Sequence, residues 1–281
     1  MATLPRPGER VGSYELVGQI GEGGMGSVLR ARTADGQDVA IKLVKPELAS
    51  DQVFRRRFAR EVRIASEVRH ENLVAVIESG EHDGLPWLAQ PYVSGGSLAD
   101  RLESGHLELA EALKIATGVA RGLDAVHRAG LVHRDVKPAN ILMDADGRPL
   151  LADFGLAKDS AATVLTAAGQ TVGSMDYMAP EQIKGEEVGP PSDIYALGCA
   201  VFECLCGRPP FADRTGLKTL WAHLQDAPPD PASLRSDIPA DVCWALMHAL
   251  AKEPDKRPPT ATAYTMMLNA AAGNTMMGGP R

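Results

Sequence analysis

Asp135 and Asp153 stand 18 positions apart, inside the runs HRDVKPAN (133–140) and DFG (153–155). Asn140 follows the first aspartate closely, and Lys137 lies between them. A site that moves a phosphoryl group needs this set. One carboxylate takes the proton of the attacking hydroxyl. A lysine neutralises the phosphate in flight. An amide oxygen and a second carboxylate hold the divalent cations that bridge the phosphates.

A second cluster lies upstream. Ile20 leads into Gly21, Glu22, Gly23, Gly24, Met25 and Gly26, with Val28 just beyond. Backbone without side chains can approach phosphates closely and offer N–H donors. Glycines that serve only a hairpin turn are the alternative. A dinucleotide-binding loop is excluded, because this loop leads into a strand pattern and not a helix. Lys42 ends the run Val39-Ala40-Ile41-Lys42 on the next strand.

Together, HRDVKPAN, DFG, the GEGGMG loop and VAIK resemble the eukaryotic-type protein kinases, over about residues 10–270. The loop and HRDVKPAN are similar to the bacterial, PknB-type branch. The resemblance implies a bilobal α+β fold. A small antiparallel sheet with one main helix occupies residues 1–93, and a larger, mostly helical lobe occupies 94–270. It also implies Mg-ATP (or Mn-ATP) as cofactor and protein substrates with Ser or Thr acceptors. Tyrosine kinases generally lack a lysine at the position of Lys137.

Roles follow residue by residue from the resemblance. Asp135 is the expected base, Lys137 the expected neutraliser of the γ-phosphate, and Asn140 and Asp153 the expected magnesium ligands. Lys42 matches the lysine that contacts the α- and β-phosphates, with Glu61 as its expected partner. PWLAQPYVSGG (86–96) resembles the inter-lobe hinge. There Gln90 would guard the back pocket, the Pro91 carbonyl would accept from adenine, and the Val93 N–H would donate to it. Ile20, Val28, Ala40 and Leu142 would sandwich the purine. His133 is read as structural, because Asp135 already fills the proton-accepting role.

SMDYMAPE (174–181) resembles the loop on which protein substrates dock. Ser174 would bridge Asp135 and Lys137, Glu181 would pair with Arg257, and Asp193 would hold the catalytic-loop backbone. In the family, residues at the positions of Arg57, Arg134 and Lys158 converge on a phosphate carried by the activation segment. Thr163, Thr166 and Thr171 are the candidate acceptors, with Thr166 and Thr171 favoured.

Two rival functions are testable on the same residues. A pseudokinase scaffold is expected to lack Lys42, Asp135, Asn140 or Asp153, and all four are present. A small-molecule phosphotransferase usually lacks the APE segment and its distant arginine, and both are present.

The elements that must position these groups are legible from periodicity. Strands are expected over Tyr14–Ile20, Ser27–Arg32, Gln37–Val44, Leu73–Ser79 and Leu85–Tyr92. Asp35-Gly36 and Asp83-Gly84 mark hairpin turns. Phe54, Phe58, Val62, Ala65 and Val68 recur at helical spacing within Asp51–Arg69. SGGS (94–97) reads as a flexible connection. A long amphipathic helix follows from Leu109 to near Gly130. Short strands are expected at Ile141–Met143 and Leu150–Leu151. Beyond about residue 192 the chain reads as helices broken by proline, and residues 271–281 as a disordered tail.

Composition narrows the partners. The net charge of −7 argues against non-specific nucleic-acid binding. The basic run Arg55, Arg56, Arg57, Arg60 and Arg63 alternates with apolar residues and reads as the solvated face of a helix. The longest nearly apolar run, Ala196–Cys206, contains Glu203 and is too short to span a bilayer. MATLPRPGER has no hydrophobic run of the secretory kind. A cytoplasmic chain is expected, with any membrane anchor outside this sequence. A transient or small-lobe homodimer is a further expectation from the family. Cys199, Cys204, Cys206 and Cys243 show no zinc spacing and read as small buried hydrophobes.

Overall fold

The structure is a computed structural model that describes residues 5–23, 25–153 and 172–277. Its first part is one antiparallel sheet. The strands are β1 (Arg10–Val11), β2 (Tyr14–Glu22), β3 (Gly26–Arg32), β4 (Asp38–Val44), β5 (Glu78–His82) and β6 (Leu85–Pro91). Their order is β1-β2-β3-β4-β6-β5. Alternation along β3 and β4 buries Leu29, Ala31, Val39, Ile41 and Leu43 on one face. The partly buried Val28, Ala40 and Lys42 fall on the other. Val28 is the cross-strand partner of Lys42 and Ala40 that of Gln90, so register gathers these residues on one face.

After a short α1 (Pro46–Ala49), α2 (Gln52–Glu67) packs Phe54, Phe58, Val62 and Ala65 against the buried face. Its start is fixed by Asp51, whose side chain accepts from Val53 N at 2.8 Å. Arg55 in the basic run is used by the fold, pairing with Glu81 and donating to the Gly84 carbonyl.

Two expectations in this lobe need correction. Residues 73–77 are not part of β5. Their backbone instead reaches the larger lobe, with Val74 N donating to Leu151 O at 3.0 Å and Leu73 bridged to Leu151. At Asp83-Gly84 both residues have positive φ, as a type I′ hairpin requires, whereas at Asp35-Gly36 only Gly36 does.

The connection at 94–97 is also pinned. Met143 N donates to Gly96 O, and Ser97 bridges to Leu142 while capping α3 (Leu98–Leu102). The helical body is built on α4 (Leu109–Arg128) and α6 (Pro190–Cys206), both lined with buried residues. Between them in sequence lie β7 (Ile141–Met143), β8 (Pro149–Leu151) and α5 (Pro180–Lys184). The chain then adds α7 (Leu217–Gln225), α8 (Pro231–Leu234), α9 (Ala240–Ala249) and α10 (Ala261–Met277). Proline opens α5, α6 and α8, where its missing N–H costs nothing. Asp124 on α4 accepts from Ala261 N and Thr262 N and so caps α10. That helix continues to Met277, past residue 271 where the sequence suggested a tail. Cys199, Cys204 and Cys243 are buried and Cys206 partly so. Among the described residues no helix is long and apolar enough to cross a membrane.

Gly26 is demanded by packing. A methyl group on it would lie 1.9 Å from the Leu43 carbonyl oxygen, which belongs to strand backbone and cannot swing aside. At Gly23 nothing among the described residues lies within 4 Å of such a group. Gly26→Ala is expected to destabilise by about 2 kcal/mol, a melting shift of roughly 4–8 °C. Gly23→Ala should leave the midpoint nearly unchanged. Differential scanning fluorimetry of the two variants checks this.

Candidate active site

The catalytic-loop run 133–140 is held from below by one buried carboxylate. Asp193, in the first turn of α6, accepts from His133 N and Arg134 N at 2.8 Å each, and His127 Nε2 lies 2.7 Å away. Arg134 adopts φ +65°, a region costly for a residue with a side chain, at roughly 1–3 kcal/mol. The Asp193 bonds hold it there. The His133 ring is buried and structural in its contacts. Nδ1 accepts from Asp135 N, so Nε2 donates to Ala152 O at 2.8 Å.

Above this base, Asp135, Lys137 and Asn140 converge. Lys137 Nζ lies 3.1 Å from Asp135 Oδ2. Asn140 Nδ2 donates to the same oxygen at 3.0 Å and to Asp135 O at 2.8 Å. With the amide nitrogen so committed, the amide oxygen is the atom left to serve a cation. Ala152 N donates to Asn140 O and ties Asp153 to the loop. Asp153 also has positive φ, +64°.

Lys42 is not placed against Glu61. Its ammonium pairs with Asp153. Burial pulls the ammonium down to about 7. Glu61 on α2 faces the arginines: its Oε1 is 4.0 Å from Arg134 Nη1. Burial pushes the Glu61 carboxyl up, against the fields of Arg57, Arg134 and Arg60. Its second oxygen is buried and has no hydrogen-bond partner among the described residues. Two residues of the expected phosphate pocket, Arg57 and Arg134, thus surround a carboxylate. Lys158, Thr163, Thr166 and Thr171 lie outside the described residues, as do Gly24 and the side chain of Ser174.

The expected nucleotide residues occupy the faces that the register sets. Ile20, Gly21 and Glu22 end β2, and Gly23 N donates to Gly26 O across the turn that holds Met25. Lys45 pairs with Glu22 at 3.2 Å. Ile20 is exposed, while Val28, Ala40 and Leu142 are half-buried. Gln90 is buried and donates to Val74 O at 3.3 Å. Pro91 closes β6 and Val93 follows it, half-buried.

The segment 174–181 is anchored at its end. Glu181 and Arg257 form a bidentate pair, at 2.6 and 2.8 Å, and Ser192 donates to Glu181 at 2.6 Å. Arg257 also donates to the carbonyls of Ala251, Pro191 and Lys252. Burial acts to raise the Glu181 pKa, but the bonds from Arg257 and Ser192 outweigh it and hold the carboxyl below its ordinary value. Gln182 Nε2 donates to Arg134 O at 3.2 Å, joining the segment to the catalytic loop. Tyr177 donates to Glu203 on α6. Ser192, Gln182, Glu203 and His127 carry no motif signal of their own. Only their placement reveals them.

A small sheet set on a helical body, with two aspartates, two lysines and an asparagine at their junction, is the architecture of the bilobal kinase fold. The protein kinase domain matches residues 14–267, and the chain belongs to that family. It is 40% identical over 275 residues to PkwA of Thermomonospora curvata, named a probable serine/threonine-protein kinase, covering 96% of this chain and 36% of that one. It is 38% identical over 268 residues to the serine/threonine-protein kinase PknE of Mycobacterium tuberculosis, covering 95% and 47%. The chain therefore spans less than half the length of these relatives. Among solved structures, the kinase domain of PknI from Mycobacterium tuberculosis superposes with a TM-score of 0.79 at 33% identity, covering 96% of this chain and all of that one.

Proposed function

We propose that this chain transfers the γ-phosphoryl group of ATP to serine and threonine hydroxyls of proteins. The observation that carries the reading is the convergence of Lys137 and Asn140 on one oxygen of Asp135, at 3.1 and 3.0 Å. Two donors on Oδ2 orient the carboxylate, which would accept the hydroxyl proton. The hydroxyl oxygen then forms its bond to the γ-phosphorus. The bond from that phosphorus to the bridging oxygen breaks, and ADP leaves with the electron pair. Lys137 stays beside Asp135 and offers positive charge to the negative charge spread over the equatorial oxygens.

Asn140 and Asp153 suit a magnesium ion held largely by nucleotide phosphates, because such sites use one or two protein carboxylates and keep the rest for phosphate and water. Bound there, the ion neutralises charge on the phosphates. In the present arrangement Asp153 is occupied by Lys42, so loading the site requires that pair to part.

The same arrangement supports a reading of activation. Glu61 sits among Arg57 and Arg134, where the family gathers a phosphate. A phosphate on the activation segment carries about −1.5 to −2 charge, more than Glu61 offers. It would take over the arginines, release Glu61 toward Lys42, and free Asp153. Autophosphorylation on Thr166 or Thr171, with Thr163 as a further acceptor, supplies that phosphate. Mass spectrometry after incubation with Mg-ATP should find phosphate within residues 156–173. An active preparation with none there would sink this activation scheme. Transient pairing of two copies, through the small lobe or otherwise, fits phosphorylation in trans, and a cytoplasmic location fits the supply of ATP. Transfer of label from γ-labelled ATP to casein or myelin basic protein tests the function itself, and its absence would return the chain to a scaffold role.

A further inference from the structure

Gln182 stands half-buried in the first turn of α5, next to Glu181. Its side-chain amide is committed at both ends. Oε1 accepts from Ala179 N at 3.0 Å, and Nε2 donates to Arg134 O at 3.2 Å. The two partners are backbone groups of opposite kind, one a donor and one an acceptor. A single orientation of the amide serves both, so the contact with Arg134 O is a donated N–H. The first bond belongs to the helix. A glutamine in the first turn reaches back to the N–H of the residue that precedes it. The second bond has no part in the helix and crosses to the catalytic loop.

Gln182 is itself held still. Its neighbour Glu181 is the buried carboxylate gripped by Arg257 and Ser192. What the amide holds in turn is the peptide unit that joins Arg134 to Asp135. In a trans peptide the C=O and the N–H point in opposite directions. Asp135 N donates to His133 Nδ1 at 3.2 Å, and Gln182 takes the opposite side, Arg134 O. This unit carries the Asp135 Cα. Turning it would swing the carboxylate that Lys137 and Asn140 meet at Oδ2. It also follows directly on the φ of +65° at Arg134, a conformation that persists only where the surroundings impose it. Asp193 imposes it through the Arg134 N–H, at 2.8 Å, and Gln182 through the carbonyl.

We propose that Gln182 is a positioning residue for Asp135: its Nε2–H fixes the Arg134–Asp135 peptide and so sets the direction of the carboxylate that meets the substrate hydroxyl. The inference rests on the phosphotransfer reading above.

Two substitutions take the two bonds apart. Gln182→Glu keeps an oxygen for Ala179 N and loses the donor to Arg134 O. Gln182→Lys keeps a donor and loses the acceptor. Steady-state kcat and the ATP KM are measured with myelin basic protein, beside the melting midpoint of each variant. Gln182→Glu should lower kcat about five- to tenfold, the factor for one neutral hydrogen bond. Its ATP KM should stay within about twofold, and its midpoint should stay close to the parent's, because a carboxylate suits a helix start. Gln182→Lys should have the lower midpoint and recover kcat to within about threefold of the parent. A residue that served only the helix would give the reverse, with kcat following the midpoint. Parent-like kcat in Gln182→Glu, or an equal loss in both variants, would overturn the proposal. Should a variant fail to fold, nitrogen-15 NMR of the unsubstituted protein decides. A Gln182 side-chain amide proton slowed in exchange is expected, and exchange as fast as that of the exposed Gln52 would overturn the proposal. A parent enzyme with no transfer at all would sink the phosphotransfer reading as well, whereas an active parent with an unaffected Gln182→Glu sinks only this one.

Discussion

Asp135→Asn is expected to lower kcat by about a thousandfold while leaving ATP affinity within about twofold, because a positioned general base is worth roughly 10²–10⁴ in rate. The substitution is nearly isosteric. The introduced amide can turn its carbonyl oxygen toward Lys137 and Asn140, so the two contacts that orient Asp135 persist. What it cannot do is accept the hydroxyl proton. Lys42, Val28 and Ala40, proposed to face the nucleotide, lie on the sheet and do not depend on the exchanged group. Initial rates with a protein substrate, beside titration of a fluorescent nucleotide, separate the two quantities. A variant that keeps a tenth or more of the parent kcat would mean that another group takes the proton.

The second large effect is on stability. Arg257→Leu should cost about 3–5 kcal/mol, because it strands the Glu181 carboxylate in the interior. Arg257 is fully buried at its side chain and Glu181 is 3% exposed. The cost should depend on pH in a definite direction. A carboxylate held below its ordinary value contributes stability above the unfolded pKa of about 4.3 and loses it as pH falls through the folded value. In Arg257→Leu the stranded Glu181 protonates more readily and so becomes cheaper to bury in acid. The gap between parent and variant is therefore widest near neutrality and narrows below about pH 4.3. Glu181→Leu added to Arg257→Leu should recover much of the loss. Urea unfolding at two pH values checks both points, and a variant as stable as its parent at pH 7 would contradict the account of the pair.

Local features were legible wherever local physics decides. The helical spacing of Phe54, Phe58, Val62 and Ala65 foretold α2 because one face of a helix must meet the sheet. The chemistry-bearing runs were legible because they are short in sequence, and loop backbone alone brings Asp135, Lys137 and Asn140 together. Long-range choices were not legible. Val74 could have extended a strand by its own propensity, but Leu151 in the other lobe takes its N–H. Arg10–Val11 is too short to carry a periodic signal, and its pairing with β2 comes from the turn between them. Whether Lys42 meets Glu61 or Asp153 depends on how α2 sits against the cleft, a rigid-body setting that no local pattern encodes.

Transfer from ATP to serine or threonine hydroxyls is expected to run through Asp135. Phosphoamino-acid analysis tests it most directly, applied to casein labelled with γ-labelled ATP by the parent and by Asp135→Asn. The expected result is labelled phosphoserine and phosphothreonine from the parent, without phosphotyrosine, and almost no label from the variant. Label on tyrosine, or equal label from parent and variant, would contradict the account.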